Sequence, residues 1–298
     1  MRRRRIIGVG VLLAVAGVVL FIFAVLALSR LFEGKFAGRP KIALLTIEGT
    51  IFRSREVLKI LDDYGRDDSI KAVVVRINSP GGGVGPSQEI YSELLRLRAR
   101  GKKVVSSLGA VAASGGYYIA CASDKIFANP GTITGSIGVL AQVSNVEELL
   151  KKLGMRVDVI KSGAHKDLGS PVRPLSEADR KILQRLIDDS YEQFVRAVAR
   201  GRRMPPERVQ RLADGRVISG ERAKAEGLVD ELGNLQDAIR AAAQMAGIPG
   251  EPLVVERRPR VGLLWWLLRL AGKLRILVER LEEPGLRLEY IWPYYRLN

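Results

Sequence analysis

The stretch KAVVVRINSPGGGV, residues 71–84, joins an almost wholly apolar run to a glycine-rich loop. Its first seven residues form a short run that is mostly β-branched, which is typical of a buried strand. A helical pattern follows over residues 86–98. Strands that are apolar throughout and alternate with helices favour a parallel sheet covered on both faces. We therefore predict a layered α/β fold. The same alternation extends to both sides of this stretch, with a strand at residues 41–47 and a helix at residues 55–64 before it and a strand at residues 104–108 after it.

Length and composition restrict the classes of site that the chain can hold. Its 298 residues are enough for one good core and a smaller appendage. The single Cys121 rules out an intramolecular disulfide, and the single His165 rules out His-rich metal sites. We expect no cofactor. The formal charge of +16 suits nucleic acid and the anionic surface of a bilayer equally well.

The N-terminus decides in favour of a membrane and against nucleic acid. Residues 6–28 are apolar or glycine without any charge, and a helix of that length spans about 35 Å, enough for a bilayer core. Arginines at residues 2–5 precede it, which keeps residues 1–5 in the cytoplasm and sends the body outward. We predict a transmembrane anchor over residues 6–29. A cleaved signal peptide stays open, because Ala27-Leu28-Ser29 resembles a cleavage site.

The rest of the chain divides into a linker, residues 30–40, a globular domain, residues 41–250, and a tail, residues 251–298. Within the domain, Ser176 and Asp179 form a capping-box pattern before a long amphipathic helix that runs to Gly201.

The tail contains two segments with different patterns. Residues 261–281 mix an apolar run with basic residues, which fits an interfacial helix or a helix packed on a neighbouring protomer. Residues 286–298 alternate as a strand does, and we predict that they dock on the body and cover or occupy a substrate groove. A strand at a distant sheet edge and a disordered end are the alternatives.

Two motifs and the glycine loop carry the chemistry: AASGGYY with Ser114, KSGAHKD with Lys166, and Gly82 in the loop. A serine hydroxyl needs a base to become a nucleophile, and a lysine serves only when uncharged, a form that about one free lysine in two to three thousand has at pH 7. Burial against apolar residues destabilises the ammonium form. The loop lacks the ending of a phosphate loop, so the Gly82 and Gly115 N–H groups fit an oxyanion hole better. The pattern suggests a Ser/Lys hydrolase.

Each assignment has an alternative. Ser114 is also a favoured helix N-cap residue, and Lys166 is of a type that is usually a solvated surface charge. Because neighbours in an extended segment point to opposite sides, His165 and Lys166 are not both expected to face Ser114. A Ser-His-Asp arrangement stays open, although Asp167 is too close in sequence to orient His165 easily. Three more residues are expected to pack rather than react: Cys121, Tyr117 and Tyr118.

Four blocks occur in order within residues 41–245: NSPGGGV, GAVAASGGYYIACASDKIFANPGTITGSIGV, IKSGAHKD and DGRVISGERAKAEGLVDELG. Together they resemble the signal peptide peptidase A family of membrane-anchored bacterial serine peptidases. The resemblance implies a ClpP/crotonase-like fold, with Ser114 as nucleophile and Lys166 as general base. It also implies Gly82 and Gly115 as oxyanion donors, and Ser136 as the hydroxyl that orients the lysine.

The resemblance further implies an endopeptidase domain that degrades remnant signal peptides and other short or unfolded peptides at the membrane. Because each block occurs once, it implies a ring-like homo-oligomer in which Ser114 and Lys166 of neighbouring protomers complete each site. Two other functions stay open, a crotonase-like acyl-thioester enzyme and a catalytically silent membrane scaffold. The first usually needs a carboxylate pair, and the sequence places none near Ser114 or the glycine loop.

Overall fold

The computed structural model describes residues 39–257 and 288–291, together with Gly17, Leu20 and Phe21. The chain divides into two units, residues 1–40 and 41–298. Within the described part of the chain, no helix is long and apolar enough to cross a membrane. The predicted anchor lies outside the described residues except for Gly17, Leu20 and Phe21, which are helical. The predicted amphipathic segment of the tail, residues 261–281, lies wholly outside them.

The first half of the second unit alternates strands and helices as predicted. Strand β4 extends five residues beyond the predicted end at residue 108, because the small residues after Gly109 continue in the buried sheet. The elements are β1 (Lys41–Glu48), α1 (Arg55–Arg66), β2 (Ile70–Ser79), β3 (Gly81–Gly83), α2 (Val84–Ala99), β4 (Lys103–Ala113) and α3 (Gly115–Ala120).

The second half is built from shorter strands around one long helix. That helix begins at the predicted capping box, in which the side chains of Ser176 and Asp179 each accept a bond from the other residue's backbone N–H. The elements are β5 (Lys125–Ala128), β6 (Ile133–Gly135), β7 (Leu140–Ala141), α4 (Glu147–Lys152), α5 (Glu177–Arg202), α6 (Pro206–Leu212), β8 (Val217–Ser219), α7 (Gly220–Ala225), β9 (Glu231–Leu232), α8 (Leu235–Met245), β10 (Leu253–Glu256) and β11 (Leu288–Ile291).

The main sheet is parallel along its whole path, in the strand order β10-β1-β2-β4-β5-β9. Strand β6 also pairs with the far end of β4, and β8 pairs with β6 in the antiparallel direction. Because β10 is an edge strand of this sheet, the folded body extends beyond residue 250, the predicted boundary between domain and tail. The mixed α/β fold with a central sheet is confirmed.

Both faces of the sheet are covered, as its apolar strands require. Along β2, Val73 and Val75 pack into one core with helices α1, α2, α3 and α5, whereas Ala72 and Val74 pack into a second core. Helix α8 covers that second face with a stripe of small and branched side chains at helical spacing. The alternation along a strand thus determines which core each side chain joins.

A second, three-stranded antiparallel sheet lies at the carboxyl end of β2. Its order is β3-β11-β7, so the tail strand lies between the glycine loop and the strand at Leu140–Ala141. The carboxyl ends of parallel strands and the turns that follow them are where α/β sheets place their ligands. The fold therefore directs attention to the turns after β2 and β4.

Candidate active site

Ser114 lies at the turn between strand β4 and helix α3. Its backbone has φ 53° and ψ −117°, a conformation rare for residues other than glycine. Two backbone hydrogen bonds hold it there: Ser114 N donates to Gly135 O at 2.9 Å, and Tyr118 N donates to Ser114 O at 2.8 Å. A strained residue persists only where its surroundings determine its conformation, and such residues cluster at functional sites.

The hydroxyl of Ser114 has no hydrogen-bond partner among the described residues. The residue is 1% exposed, and its side chain makes no capping bond to helix α3. The interpretation of Ser114 as an ordinary N-cap is therefore wrong, although the residue does precede the helix. Leaving a buried hydroxyl without a partner costs roughly 1–3 kcal/mol, so an unpaired one in a folded protein requires an explanation such as a catalytic role.

The glycine loop brings a second backbone nitrogen close to the one that follows Ser114. A Cβ built on Gly115 would lie 3.3 Å from Gly82 N, so these two glycines are in close contact. A Cβ built on Gly82 would lie 2.3 Å from Ile51 O, and one on Gly81 would lie 2.8 Å from Gly115 N. Only glycine fits at Gly81 and Gly82, because a Cβ at either position would collide with backbone atoms. The two predicted oxyanion donors thus lie together beside Ser114.

The tail strand β11 lies directly on this loop. Tyr290 pairs with Gly82, and the carbonyl oxygen of Tyr290 would lie 3.1 Å from the same Cβ built on Gly115. This carbonyl therefore occupies the region where Gly82 N and the Gly115 backbone meet. The prediction of a strand that docks on the body is confirmed for residues 288–291, and the remainder of residues 286–298 lies outside the described residues.

The side chain of Tyr290 fills an aromatic pocket next to the loop. It is fully buried, its hydroxyl donates to Ser190 O at 2.8 Å, and its ring stacks on Tyr118 with centroids 5.2 Å apart. Phe194 forms another wall, with its ring centroid 4.7 Å from that of Tyr290. Burial raises the pKa of the Tyr290 hydroxyl, which keeps it neutral. Sequence reasoning missed this pocket, and the only signal for it was the four-residue spacing of Ser190 and Phe194 on one helix.

Ser136 lies at the end of β6, the strand that holds the backbone of Ser114. Its φ is also positive, at 50°, and its N–H donates to Arg216 O at 2.8 Å. The preceding residue, Gly135, provides the carbonyl that accepts from Ser114 N. The predicted base-orienting serine is thus one residue away from the backbone contact that fixes the predicted nucleophile, and it is 6% exposed.

Lys166 lies on an exposed segment that forms turns but neither helix nor strand, with its N–H donating to Gly163 O at 3.2 Å. Since the Ser114 hydroxyl has no partner among the described residues, neither Lys166 nor His165 is hydrogen-bonded to it within the chain. His165 instead contacts Asp179, with Nδ1 3.2 Å from Oδ1. The alternative arrangement of Ser114, His165 and Asp167 is therefore not formed in this structure.

The residues expected to pack do so. Cys121 is buried at the end of helix α3, and burial raises the pKa of its thiol to about 12, which makes it a poor nucleophile. Tyr117 is fully buried and donates its hydroxyl to Leu228 O at 2.7 Å, while Tyr118 forms a wall of the aromatic pocket.

Comparison with known proteins supports a peptidase. The model of peptidase family S49 matches residues 96–249, which include Ser114, Ser136 and Lys166 but not Gly82. A Synechocystis protein provisionally named a protease is 48% identical over 72% of this chain and 77% of its own length. An Enterococcus faecium protein provisionally named signal peptide peptidase SppA is 38% identical over 68% of this chain and 63% of its own length. Protease 4 of Salmonella typhi is 42% identical over 62% of this chain but only 30% of its own length.

The close approach of the glycine loop to Ile51 makes Gly82 sensitive to a single methyl group. We expect Gly82→Ala to lower the free energy of unfolding by about 1–3 kcal/mol, because the new Cβ would push against backbone atoms. Thermal unfolding monitored by circular dichroism measures this. Gly85→Ala is the matched control, since a Cβ there meets nothing within 4 Å. Equal melting temperatures for the two variants would contradict the packing described above.

Proposed function

The chain belongs to peptidase family S49, and we propose that this protease hydrolyses peptides with Ser114 as nucleophile and Lys166 as general base. The observation that carries the proposal is the Ser114 hydroxyl, which is buried and unpaired among the described residues at a strained strand-to-helix turn. Sharp turns of this kind present the nucleophilic serine in other hydrolases. The close contact of the Gly82 and Gly115 backbones with each other is the second support.

In the proposed mechanism, the Ser114 oxygen attacks the scissile carbonyl while neutral Lys166 accepts the hydroxyl proton. The carbonyl oxygen becomes an oxyanion, and the N–H groups of Gly82 and Gly115 donate to it, each worth about 3 kcal/mol of barrier. Lys166 then gives its proton to the leaving amine, and an acyl ester with Ser114 remains. Water then attacks this ester while Lys166 accepts a proton from it. Lys166 returns the proton to the serine oxygen, so the carboxylic acid is released and Ser114 is restored. Ser136 orients the lysine in this proposal.

Substrate peptides bind in extended form in this proposal, as a strand between β3 and β7. The support is β11, which occupies that place in this structure and pairs through backbone with both strands. Strand addition supplies affinity through backbone bonds, while pockets for alternate side chains supply selectivity. The aromatic pocket of Tyr118 and Phe194 would then receive a large apolar or aromatic side chain of the substrate.

We further propose that Lys166 acts on the Ser114 of a neighbouring protomer in a ring-like homo-oligomer. The support is that Lys166 is exposed and makes no bond to the Ser114 hydroxyl within the chain. The segment that leads to Lys166 also exposes apolar side chains, which a neighbouring copy would cover. These side chains belong to Leu149, Leu153, Met155, Val157, Val159 and Ile160.

The membrane setting is also a proposal. The uncharged run at residues 6–28 behind four arginines supports a single-pass anchor, with its N-terminus in the cytoplasm and the protease outside. Cleaved signal peptides and other short or unfolded peptides at that surface are the proposed substrates. The relative from Enterococcus faecium, provisionally named a signal peptide peptidase, supports this substrate class.

We expect Ser114→Ala and Lys166→Ala each to lower peptide hydrolysis at least about 1,000-fold, because each removes a group that forms or breaks a bond. His165→Ala should keep most of the activity, since His165 contacts Asp179 and not the serine. Hydrolysis of a fluorogenic peptide measures all three, with circular dichroism as the folding control. If His165→Ala is folded and as inactive as Ser114→Ala, the histidine is the base and the lysine mechanism is wrong.

Labelling by a serine-reactive acylating probe separates the proposed function from its alternatives. The protease should be labelled at Ser114, because an activated serine hydroxyl attacks the acylating group of the probe. A crotonase-like acyl-thioester enzyme or a silent scaffold needs no activated serine. Absence of labelling in folded protein would favour one of those two.

Mixing two inactive variants tests whether the site is shared. We expect co-assembled Ser114→Ala and Lys166→Ala protomers to recover part of the activity, because some interfaces then join an intact serine to an intact lysine. Peptide hydrolysis after co-expression measures this, with crosslinking as proof of mixed assembly. No recovery in proven mixed oligomers would place both residues of each site in one chain.

Removal of the tail tests whether β11 blocks the site. Truncation after Glu283 should raise the rate on short peptides, because the place between β3 and β7 becomes free, and it should leave the oligomer intact on size-exclusion chromatography. Tyr290→Phe is the matched control, since it keeps the ring in its pocket and removes only the bond to Ser190 O. An unchanged rate after truncation would leave β11 as a purely structural strand.

A further inference from the structure

The residues on both sides of Lys166 are tied by their side chains to one charged network. Asp167 receives two bonds from Arg173, with Nε 2.7 Å from Oδ2 and Nη2 2.8 Å from Oδ1. On the other side, His165 contacts Asp179 through Nδ1. A side chain can point in a fixed direction only if the backbone that carries it is fixed. The bonds of Arg173 to Asp167 fix the backbone beside Lys166. The His165 contact adds little, because it is a single one of 3.2 Å from a ring that is 49% exposed.

Arg173 connects the two halves of the network. Its third nitrogen, Nη1, donates to Asp179 Oδ2 at 2.7 Å, so one guanidinium bridges Asp167 and Asp179. Lys161 adds a contact from Nζ to Asp167 Oδ1 at 2.6 Å. Charge-assisted bonds of this fork geometry are among the strongest in proteins, and lysine cannot reproduce them.

Asp179 anchors the network to the rigid part of the fold. It lies in the first turn of the 26-residue helix α5, where its carboxylate also accepts from the Ser176 N–H of the capping box. Its side chain is 2% exposed. The bonds from Arg173 and His165 hold the pKa of this carboxyl well below its ordinary value, so it is ionised throughout the working range.

The network attaches to the body a segment that has few other bonds to it. Between Leu153 and Ser176 the chain forms no helix or strand, and the residues from Gly154 to Lys166 are all exposed. Its own backbone bonds near Lys166 are short-range turns, such as Leu168 N to His165 O at 3.1 Å. One backbone bond, from Val146 N to Pro171 O at 2.7 Å, joins the far part of the segment to the start of helix α4. Within the described part of the chain, residues 156–168 themselves form backbone-to-backbone bonds only with one another and with Ser170.

We propose that Arg173 and Asp179 are positioning residues that hold the Lys166 segment at the start of helix α5 and so aim the lysine. This inference rests on the proposed function, in which Lys166 is the base. Neither residue touches the substrate in this account. Their contribution is the placement of the amine relative to the serine that it serves, and small misplacements of a catalytic group are costly.

Arg173→Gln should lower kcat between about 10-fold and about 100-fold while KM stays within about twofold, because substrate binding at β3 and β7 is untouched. Asp179→Asn should lower kcat in the same way, since asparagine has the shape of aspartate but lacks the negative charge that binds Arg173. Arg173→Lys should fall between wild type and Arg173→Gln, because a lysine keeps the charge without the fork. Steady-state kinetics on a fluorogenic peptide measure the split between kcat and KM.

The chain offers a matched control at helix α8, where Asp237 also closes a capping box and pairs with an arginine, Arg240, at 2.5 Å. Asp237→Asn and Arg240→Gln remove the same kinds of bond away from Lys166. Both should leave kcat unchanged. If they lower kcat as much as Asp179→Asn and Arg173→Gln do, the effect is one of general stability and the positioning role is wrong.

The outcomes also separate this inference from the proposed function. Inactive Lys166→Ala together with fully active Arg173→Gln would overturn the positioning role and leave the lysine base intact. Active Lys166→Ala would overturn the base itself, whatever the network does. A loss in Arg173→Gln that appears in KM rather than kcat would show that the network serves substrate binding, and would equally overturn the positioning role.

Discussion

The backbone turn at Ser114 is the constraint on which the site depends. A positive φ at a non-glycine residue is unfavourable, yet here it is held by bonds to Gly135 O on one side and from Tyr118 N on the other. Both partners belong to elements that are packed into the core around the parallel sheet. The energy that maintains the turn therefore comes from burial of the sheet and helix α3, far more than from any contact of the serine side chain.

Glycine at the loop after β2 follows from the same geometry. The turn at Ser114 brings Gly115 against Gly82, and Ile51 lies behind the loop, so there is no room for a Cβ. Because these glycines carry no side chains, an incoming strand can reach their backbone groups. In this structure β11 is that strand, with a fully buried tyrosine as its anchor. The loop thus provides a sheet edge that the protein covers with part of its own tail, a common solution to an unpaired edge.

The two halves of the proposed site differ in how they are held. The serine half is buried, with Ser114 1% exposed, whereas Lys166 lies on an exposed segment tied down by charged side chains. Ion pairs near the surface contribute little stability individually, but an arginine that is bidentate to Asp167 and also bonded to the buried Asp179 gives definite direction. Such a division fits the proposal that Lys166 serves the Ser114 of a neighbouring protomer.

Periodicity and residue type alone were enough for the alternation of strands and helices, the parallel sheet with two covered faces and the capping box at Ser176, because these depend on neighbours in sequence. The glycines around Gly82 also stood out, since a turn that excludes side chains is rich in glycine, and Ser114 stood out through its motif and the family resemblance. The pocket around Tyr290, the contact of His165 with Asp179 and the bridge made by Arg173 did not. They join residues that are distant in sequence or lie in a segment without periodicity, so only the tertiary structure, in which helix α5 carries both Asp179 and the residues that contact Tyr290, brought them together.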